Sequence, residues 1–75
     1  MIYCVADEDV VTHLAGLGYE LAVEAQDFRL FQGADGRRLT LRRPNVNGHL
    51  PEAIVNDAFD AARLDLPRWD VFWCD

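Results

Sequence analysis

Apolar residues recur at helical spacing in two separate parts of the chain. The apolar stripe of the first part is Val10, Val11, Leu14 and Leu17. Asp7 is predicted as the N-cap of this first helix and Gly18 as its left-handed stop. A second helix is predicted with Pro51 in its first turn, and Pro67 is predicted to end it. The apolar stripe of the second helix is Ile54, Val55, Ala58, Phe59 and Ala62.

Between the helices the spacing of apolar residues changes from helical to alternating, which is typical of strands. Residues 19–24 alternate apolar positions with glutamates and an alanine, and they predict a half-buried strand. Two further strands, residues 28–32 and 37–42, flank the turn signal Asp35-Gly36 and predict a hairpin. Three consecutive strands joined by short turns predict an antiparallel meander.

Alternation within the hairpin also predicts which side chains face the core. The set predicted to face inward is Phe28, Leu30, Leu39 and Leu41. The set predicted to face outward is Arg29, Phe31, Arg38, Thr40 and Arg42. The arginines are therefore expected on the outer face of the sheet, where acids of the neighbouring strand, such as Glu20 and Glu24, could pair with them.

The two ends of the chain and one loop complete the predicted fold. Residues 1–5 form a short apolar run that indicates a leading strand, and residues 44–50 are predicted as a loop. In the tail, Trp69, Phe72 and Trp73 have the spacing that one helical turn would place on one side. The order predicts a single domain of all 75 residues. Its class is α+β, (β)-α-β-β-β-α, with both helices on one face of the meander and an aromatic C-terminal tail.

Charge is distributed unevenly along this chain, which has the apolar and charged content of a globular protein. The net charge is −6, with no lysine. Residues 1–27 carry six acids and no basic residue, residues 28–43 carry five arginines and one aspartate, and residues 44–75 carry six acids and two arginines. A summed negative field steers a protein towards positive partners. A solvated surface is the favoured interpretation of both charged sets, and a binding surface is the sharper hypothesis for each.

The titratable side chains form no complete catalytic motif, and no metal site or cofactor is expected. The acid pairs Asp7/Asp9 and Asp57/Asp60 lack a third ligand at a recognised spacing. His49 is interpreted as a loop or capping residue, with a loop acid/base as the alternative, and His13 is interpreted as structural.

Cys4 and Cys74 lie at opposite ends of the chain and lack the close spacing of a metal site. The favoured interpretation is two reduced thiols. The alternative is a disulfide, which needs an oxidising compartment. No apolar run approaches the roughly 20 residues that span a bilayer, and the N-terminus does not have the pattern of a signal peptide. A cytoplasmic location is therefore expected.

Residues 10–65 resemble the HicA-type small toxins. The resemblance rests on "LAGLGYE" at the end of the first helix, "ADGRRLTL" in the hairpin and "NGHLPEAIVNDAFDAA" leading into the second helix. It implies a double-stranded-RNA-binding-like α-β-β-β-α fold. That family cuts mRNA with a histidine of a Gly-Ser-His motif, where this chain has Gln26, Asp27 and Phe28. Since phenylalanine cannot move a proton, the resemblance implies the fold and argues against the activity.

Two functions follow as hypotheses. The first is a small acidic, non-enzymatic inhibitor or regulator that docks on a basic, nucleic-acid-binding protein surface, as a nucleic-acid mimic of the anti-CRISPR kind found in phage and mobile elements. Its predicted partner-binding residues are Glu52, Asp57, Asp60, Asp65, Asp70, Trp69 and Trp73. The alternative is a HicA-like toxin–antitoxin protein that binds or cuts RNA through its arginine hairpin. The predicted RNA-binding residues are Arg29, Phe31, Arg38, Arg42 and Arg43.

Apart from a basic protein, the only partner expected is a second copy of this chain. Neither hypothesis involves a membrane or a small-molecule substrate. A homodimer through the aromatic tail is a further hypothesis, because tryptophan dominates many binding hot spots. Packing within the fold is the favoured interpretation of the tail aromatics Trp69, Phe72 and Trp73, and an interface anchor is the alternative.

Overall fold

The computed structural model describes residues 2–74, which form six strands and two helices. Their order along the chain is β-α-β-β-β-β-α-β. The elements are β1 (Ile2–Ala6), α1 (Asp7–Gly16), β2 (Tyr19–Glu24), β3 (Phe28–Gly33), β4 (Arg38–Arg42), β5 (His49–Pro51), α2 (Glu52–Ala61) and β6 (Phe72–Cys74). None of the helices in this part is long and apolar enough to cross a membrane.

Strands β2, β3 and β4 form the predicted antiparallel meander, in that order. Both helices pack on its inner face, and side chains from the helices, the meander and two other strands fill the space between. These core side chains are Val5, Val10, Leu14, Tyr19, Phe31, Leu39, Leu41, Leu50, Val55 and Phe59. The α+β class, with helices segregated to one face of an antiparallel sheet, is confirmed.

The turn between β3 and β4 fixes a register that reverses the predicted faces of β3. The Gly33 N–H donates to the Arg37 carbonyl over 2.8 Å and closes the turn. In this register Phe31 lies opposite Leu39, and Arg29 lies opposite the second buried leucine of β4. Residues directly opposite each other in an antiparallel pair have side chains on the same face. Phe31 and Arg29 therefore join the leucines on the core side.

The predicted orientation of four β3 residues was consequently wrong. Phe28, expected in the core, is 43% exposed on the outer face, and Leu30 is half-buried there. Phe31 and Arg29, expected on the outer face, are only 3% and 5% exposed. Alternation alone could not choose between the phases, because β3 has apolar residues at both even and odd positions.

A bulge in β2 spoils the alternation predicted there. Tyr19 is buried as expected, but the register shifts between Leu21 and Val23. A bulge of this kind re-aims the side chains that follow it, and Val23 consequently lies opposite Leu30 of the outer face. Leu21 precedes the bulge, opposite Phe31, so the bulge does not account for its exposure. Leu21 and Val23 are 48% and 47% exposed, so β2 is less buried than its sequence predicts.

Arg29 is accommodated in the core because Asp7 meets it there. Its two terminal nitrogens donate to the Asp7 carboxylate over 2.7 and 3.1 Å, and one of them also donates to the Arg42 carbonyl. Asp7 was predicted to cap α1, and this prediction was wrong because its side chain binds Arg29 instead. Ala6 is the N-cap residue, and no side-chain hydrogen bond caps the helix. The predicted stop at Gly18 is confirmed, with φ of +88°.

A second sheet, in the order β5-β1-β6, was not predicted. The leading strand is confirmed over Ile2–Ala6, whereas Met1 lies outside the described residues. Part of the predicted loop forms β5, and the tail forms β6 instead of a helical turn. Because side chains alternate along a strand, Phe72 and Trp73 face opposite sides rather than one.

The second sheet brings the two cysteines together. Ile2 lies opposite Cys74 and Cys4 lies opposite Phe72, so the cysteines are diagonal neighbours with a Cα–Cα distance of 6.0 Å. They form a disulfide, and the favoured interpretation as two reduced thiols was wrong. The separation is within the range that a disulfide can bridge. Pairing of the chain ends could not be inferred while β6 was taken as a helical turn.

Gly33→Ala should destabilise the protein, because the Tyr19 ring lies directly over Gly33. A Cβ at this position would lie 2.9 Å from the Tyr19 ring and 2.8 Å from the Asp35 carboxylate. Forcing the buried ring aside costs about 1–3 kcal/mol. Urea denaturation of the variant should show a loss of this size in the free energy of unfolding.

Gly16→Ala is the matched control for that substitution. Gly16 lies in α1, and a Cβ there would have no neighbour within 4 Å. Alanine is the better helix former by about 1 kcal/mol, so this variant should be at least as stable as the parent. Equal effects of the two substitutions would contradict the close packing of Tyr19 on Gly33.

Candidate protein-docking surface

Helix α2 presents an acidic face to solvent. Val55 and Phe59 are completely buried, so the opposite side of the helix points outward. Ala53, Asp57 and Asp60 have the i, i+4, i+7 spacing of one helical face, and all three are exposed. Neither aspartate takes part in an ion pair with another residue in 2–74. This face therefore carries negative charge that the described part of the protein does not neutralise.

The end of the second sheet adds a pair of exposed aromatic rings. Tyr3 and Trp73 lie opposite each other on β1 and β6, and their rings stack with centroids 4.0 Å apart and planes 22° apart. Tyr3 is 47% exposed and Trp73 is 57% exposed. Large exposed aromatic side chains are typical anchors of protein interfaces.

The aromatic pair and the acidic helix face are parts of one surface. An open groove joins them, and it is lined by Ile2, Tyr3, Pro51, Glu52, Ala53 and Trp73. Ala53 belongs both to this groove and to the exposed face of α2. We call the set Tyr3, Glu52, Ala53, Asp57, Asp60 and Trp73 the acidic–aromatic surface. It unites four of the seven predicted partner-binding residues: Glu52, Asp57, Asp60 and Trp73.

Trp69, by contrast, packs within the fold. Its indole N–H donates to the Asn56 side-chain oxygen over 3.2 Å. Its ring meets those of Phe59 and His13 edge-on, with centroids 5.4 and 5.5 Å away. The structure therefore gives Trp69 the intramolecular packing that was the favoured interpretation of the tail aromatics, and Trp69 is not a partner-binding residue of the acidic–aromatic surface. It also gives His13 a structural position.

Asp65 and Asp70 lie away from the acidic–aromatic surface. Asp70 lines a groove together with Glu8 and Asp9 of α1. Asp65 lies in the segment after α2 and lines a different groove that includes Arg37. The predicted acidic set is thus divided among three places.

The arginines of the hairpin region are largely engaged with acids of the same molecule. Arg29 is buried against Asp7. Arg37 lies 3.4 Å from an Asp35 oxygen, and Arg43 lies 3.8 Å from a Glu24 oxygen. Pairing with Glu24 is one of the contacts expected from the sequence. Both outer pairs are about half exposed, so each contributes little to stability.

The predicted RNA-binding face does not form as one surface. Phe31 is only 3% exposed and has no free ring face for a base to stack on. Arg38 and Arg42 point to the outer face of the meander, away from Phe31 and Arg29. The exposed aromatic ring on that outer face belongs to Phe28, opposite Arg42.

His49 and Tyr19 are titratable side chains that take part in packing. His49 is the first residue of β5 rather than a loop or capping residue. Its ring meets Phe72 edge-on, with centroids 4.7 Å apart. Burial raises the pKa of the Tyr19 phenol, Asp35 raises it further, and Arg37 lowers it. Within residues 2–74 no three metal-ligating side chains come together to hold an ion.

Tyr3 is the important surface residue that the sequence analysis missed. It immediately precedes Cys4, and Trp73 immediately precedes Cys74. The two rings meet only in the diagonal register of the cysteines, because directly opposite cysteines on antiparallel strands would not place Tyr3 opposite Trp73. The aromatic–cysteine dipeptides alone therefore did not indicate this contact.

Comparisons of the chain with protein-family models, with curated proteins and with solved structures find no match. The resemblance to HicA-type toxins therefore stays a prediction from sequence.

Proposed function

We propose that this protein is a small, acidic, non-enzymatic interaction module that docks on a basic surface of a nucleic-acid-binding protein. The observation that supports the proposal best is the continuity of the acidic–aromatic surface, in which the exposed rings share a groove with Glu52 and the exposed face of the same helix continues to Asp57 and Asp60. The carboxylates would steer the partner from a distance, and the rings would supply the buried contact. In this role the protein is an inhibitor or regulator that acts as a nucleic-acid mimic, as phage and mobile-element anti-CRISPR proteins do.

The internal ion pairs strengthen this interpretation of the charge. Arg29, Arg37 and Arg43 are each engaged with a carboxylate of the same molecule. Asp57 and Asp60 have no such partner within residues 2–74. Three of the seven arginines are therefore paired with carboxylates other than Asp57 and Asp60, which leaves these two aspartates available to a basic partner.

Charge reversal on α2 should weaken binding to a basic ligand. In Asp57→Lys/Asp60→Lys, two attractive contacts become repulsive, so we expect the affinity for an octa-arginine peptide to fall about tenfold to a hundredfold at low salt. Isothermal titration calorimetry at several salt concentrations measures this loss. The parent's affinity should itself fall as salt rises.

Glu20→Lys/Asp27→Lys is the matched control, because it changes the net charge equally on the meander side of the molecule. A general effect of net charge would weaken binding in both variants alike and would contradict a docking surface on α2. The HicA-like alternative makes the opposite prediction. It requires tight RNA binding that falls steeply with salt and is lost in Arg38→Ala/Arg42→Ala.

The cytoplasmic location expected from the sequence is part of this proposal, and it is tested together with the disulfide. Cytosolic thiols are kept reduced, with rare exceptions. Alkylation of the protein in intact cells should therefore modify Cys4 and Cys74 if the protein resides in the cytosol. Complete protection of both thiols would place it in an oxidising compartment.

A further inference from the structure

The groove beside the Tyr3–Trp73 stack has the lining of a site for a single cationic side chain. It is an open groove of about 330 Å³ with one acidic side chain, Glu52, on its lining. We infer that this groove binds the guanidinium group of an arginine on the basic partner. The inference rests on the proposed function and names the contact that would anchor the partner.

The aromatic stack supplies a flat, electron-rich surface. Because Tyr3 and Trp73 stack on each other, each ring covers one face of the other. Trp73 is nonetheless 57% exposed, so much of its indole remains open to a ligand. Indole is the best aromatic partner for a cation placed over its face.

The charge at the groove also favours a cation. Glu52 is the first residue of α2, where the helix dipole contributes about half a positive charge. A full negative charge on the Glu52 carboxylate exceeds that contribution, which leaves the site negative. Asp57, further along the same helix, adds negative potential without belonging to the groove.

The apolar lining selects guanidinium over ammonium. Ile2, Pro51 and Ala53 line the same groove as the rings and the carboxylate. A guanidinium group is planar and weakly hydrated, so it can stack on an indole while its edge pairs with a carboxylate. A lysine ammonium group is strongly hydrated and would have to lose that water beside an apolar wall.

The test compares octa-arginine with octa-lysine, which carry equal charge, by NMR titration of the ¹⁵N-labelled protein. We expect octa-arginine to bind about fivefold to tenfold more tightly. The indole N–H signal of Trp73 should shift during the titration. The indole N–H of Trp69, which donates to Asn56 inside the fold, should not shift and serves as an internal reference.

Two substitutions test which groups provide the preference. Trp73→Leu removes the indole face and Glu52→Gln removes the charge, and each should abolish most of the preference for arginine over lysine. Equal binding of the two peptides by the parent, or a Trp73 signal that does not move, would overturn the inference. In that event the proposed function still stands if Asp57→Lys/Asp60→Lys weakens both peptides. Failure of the parent to bind either peptide at low salt would instead overturn the proposed function.

Discussion

Reduction of the Cys4–Cys74 disulfide should lower the free energy of unfolding by about 4 kcal/mol. The two cysteines are separated by 70 positions, so the bridge closes nearly the whole chain into a loop. In the chain-entropy account, such a bridge stabilises mainly by restricting the unfolded state. A loss of this size corresponds to a fall of about 15–30 °C in Tm for a domain this small. Thermal unfolding followed by circular dichroism, with and without dithiothreitol, measures it.

The disulfide should matter more here than in a larger protein. A chain of 75 residues buries a smaller fraction of its surface than a larger one, and its total stability is about 4–11 kcal/mol. The bridge therefore contributes a large share of the free energy of unfolding, and the reduced protein should be folded but markedly less stable. The variant Cys4→Ala/Cys74→Ala should melt near the reduced parent and should not respond to dithiothreitol. A difference of less than about 5 °C between oxidised and reduced parent would contradict the expectation.

The parts of the fold that the sequence predicted are those set by local interactions. Helices α1 and α2 each have an apolar stripe at helical spacing, with Gly18 after the end of α1 and Pro51 at the N-cap of α2. The predicted stop of the second helix at Pro67 was wrong, because α2 already ends at Ala61. The meander has alternating residues and a strong turn signal at Asp35-Gly36. These signals act within a few residues of one another, so a single sequence is enough to read them.

The second sheet depends on contacts that no local signal encodes. Strand β1 pairs with β5 and β6, which lie more than forty positions away along the chain. Both partners are three residues long, too short for an alternating pattern to be recognised. The sequence alone therefore predicted a loop and a helical turn where the structure has two strands.

The candidate docking surface likewise combines residues that local patterns predicted with residues whose positions depend on the second sheet. Asp57 and Asp60 fall outside the apolar stripe that helical periodicity predicts for α2, and both are exposed. The role of Trp69 and the pairing of Trp73 with Tyr3 depend on how the tail returns to β1. Those features became visible only once the second sheet was known.

Arg29 shows most clearly how tertiary contacts override a local pattern. An arginine in a hairpin is predicted to face solvent, because burying an unpaired charge is costly. Here the turn register places Arg29 inward, and Asp7, at the start of α1, supplies a carboxylate in the right place. The compensating residue lies 22 positions away, so the hairpin sequence contains no sign of it.

Asp7→Ala should therefore destabilise the protein by about 3 kcal/mol, because it leaves a guanidinium group buried without its counter-charge. Arg29 keeps its hydrogen bond to the Arg42 carbonyl, but its Nε already lacks a partner. The expected cost lies at the lower end of the range for buried ion pairs. The reason is that the Asp7 side chain is 18% exposed, so water can replace part of the lost contact. Chemical denaturation of the variant and the parent measures the difference.

Substitution of Arg29 instead of Asp7 distinguishes the cost of leaving a charge buried from the cost of losing the attraction between the two side chains. Arg29→Met leaves an apolar side chain among core residues and leaves Asp7 partly hydrated at the start of α1, where a negative charge is favourable. We expect it to cost about 1 kcal/mol, and Asp7→Ala/Arg29→Met should be more stable than Asp7→Ala alone. Glu24→Ala, which breaks the exposed pair with Arg43, is the control and should change stability by less than about 1 kcal/mol. If Asp7→Ala costs no more than Glu24→Ala, then Arg29 reaches water without Asp7 and its guanidinium group is not a buried charge that depends on the ion pair.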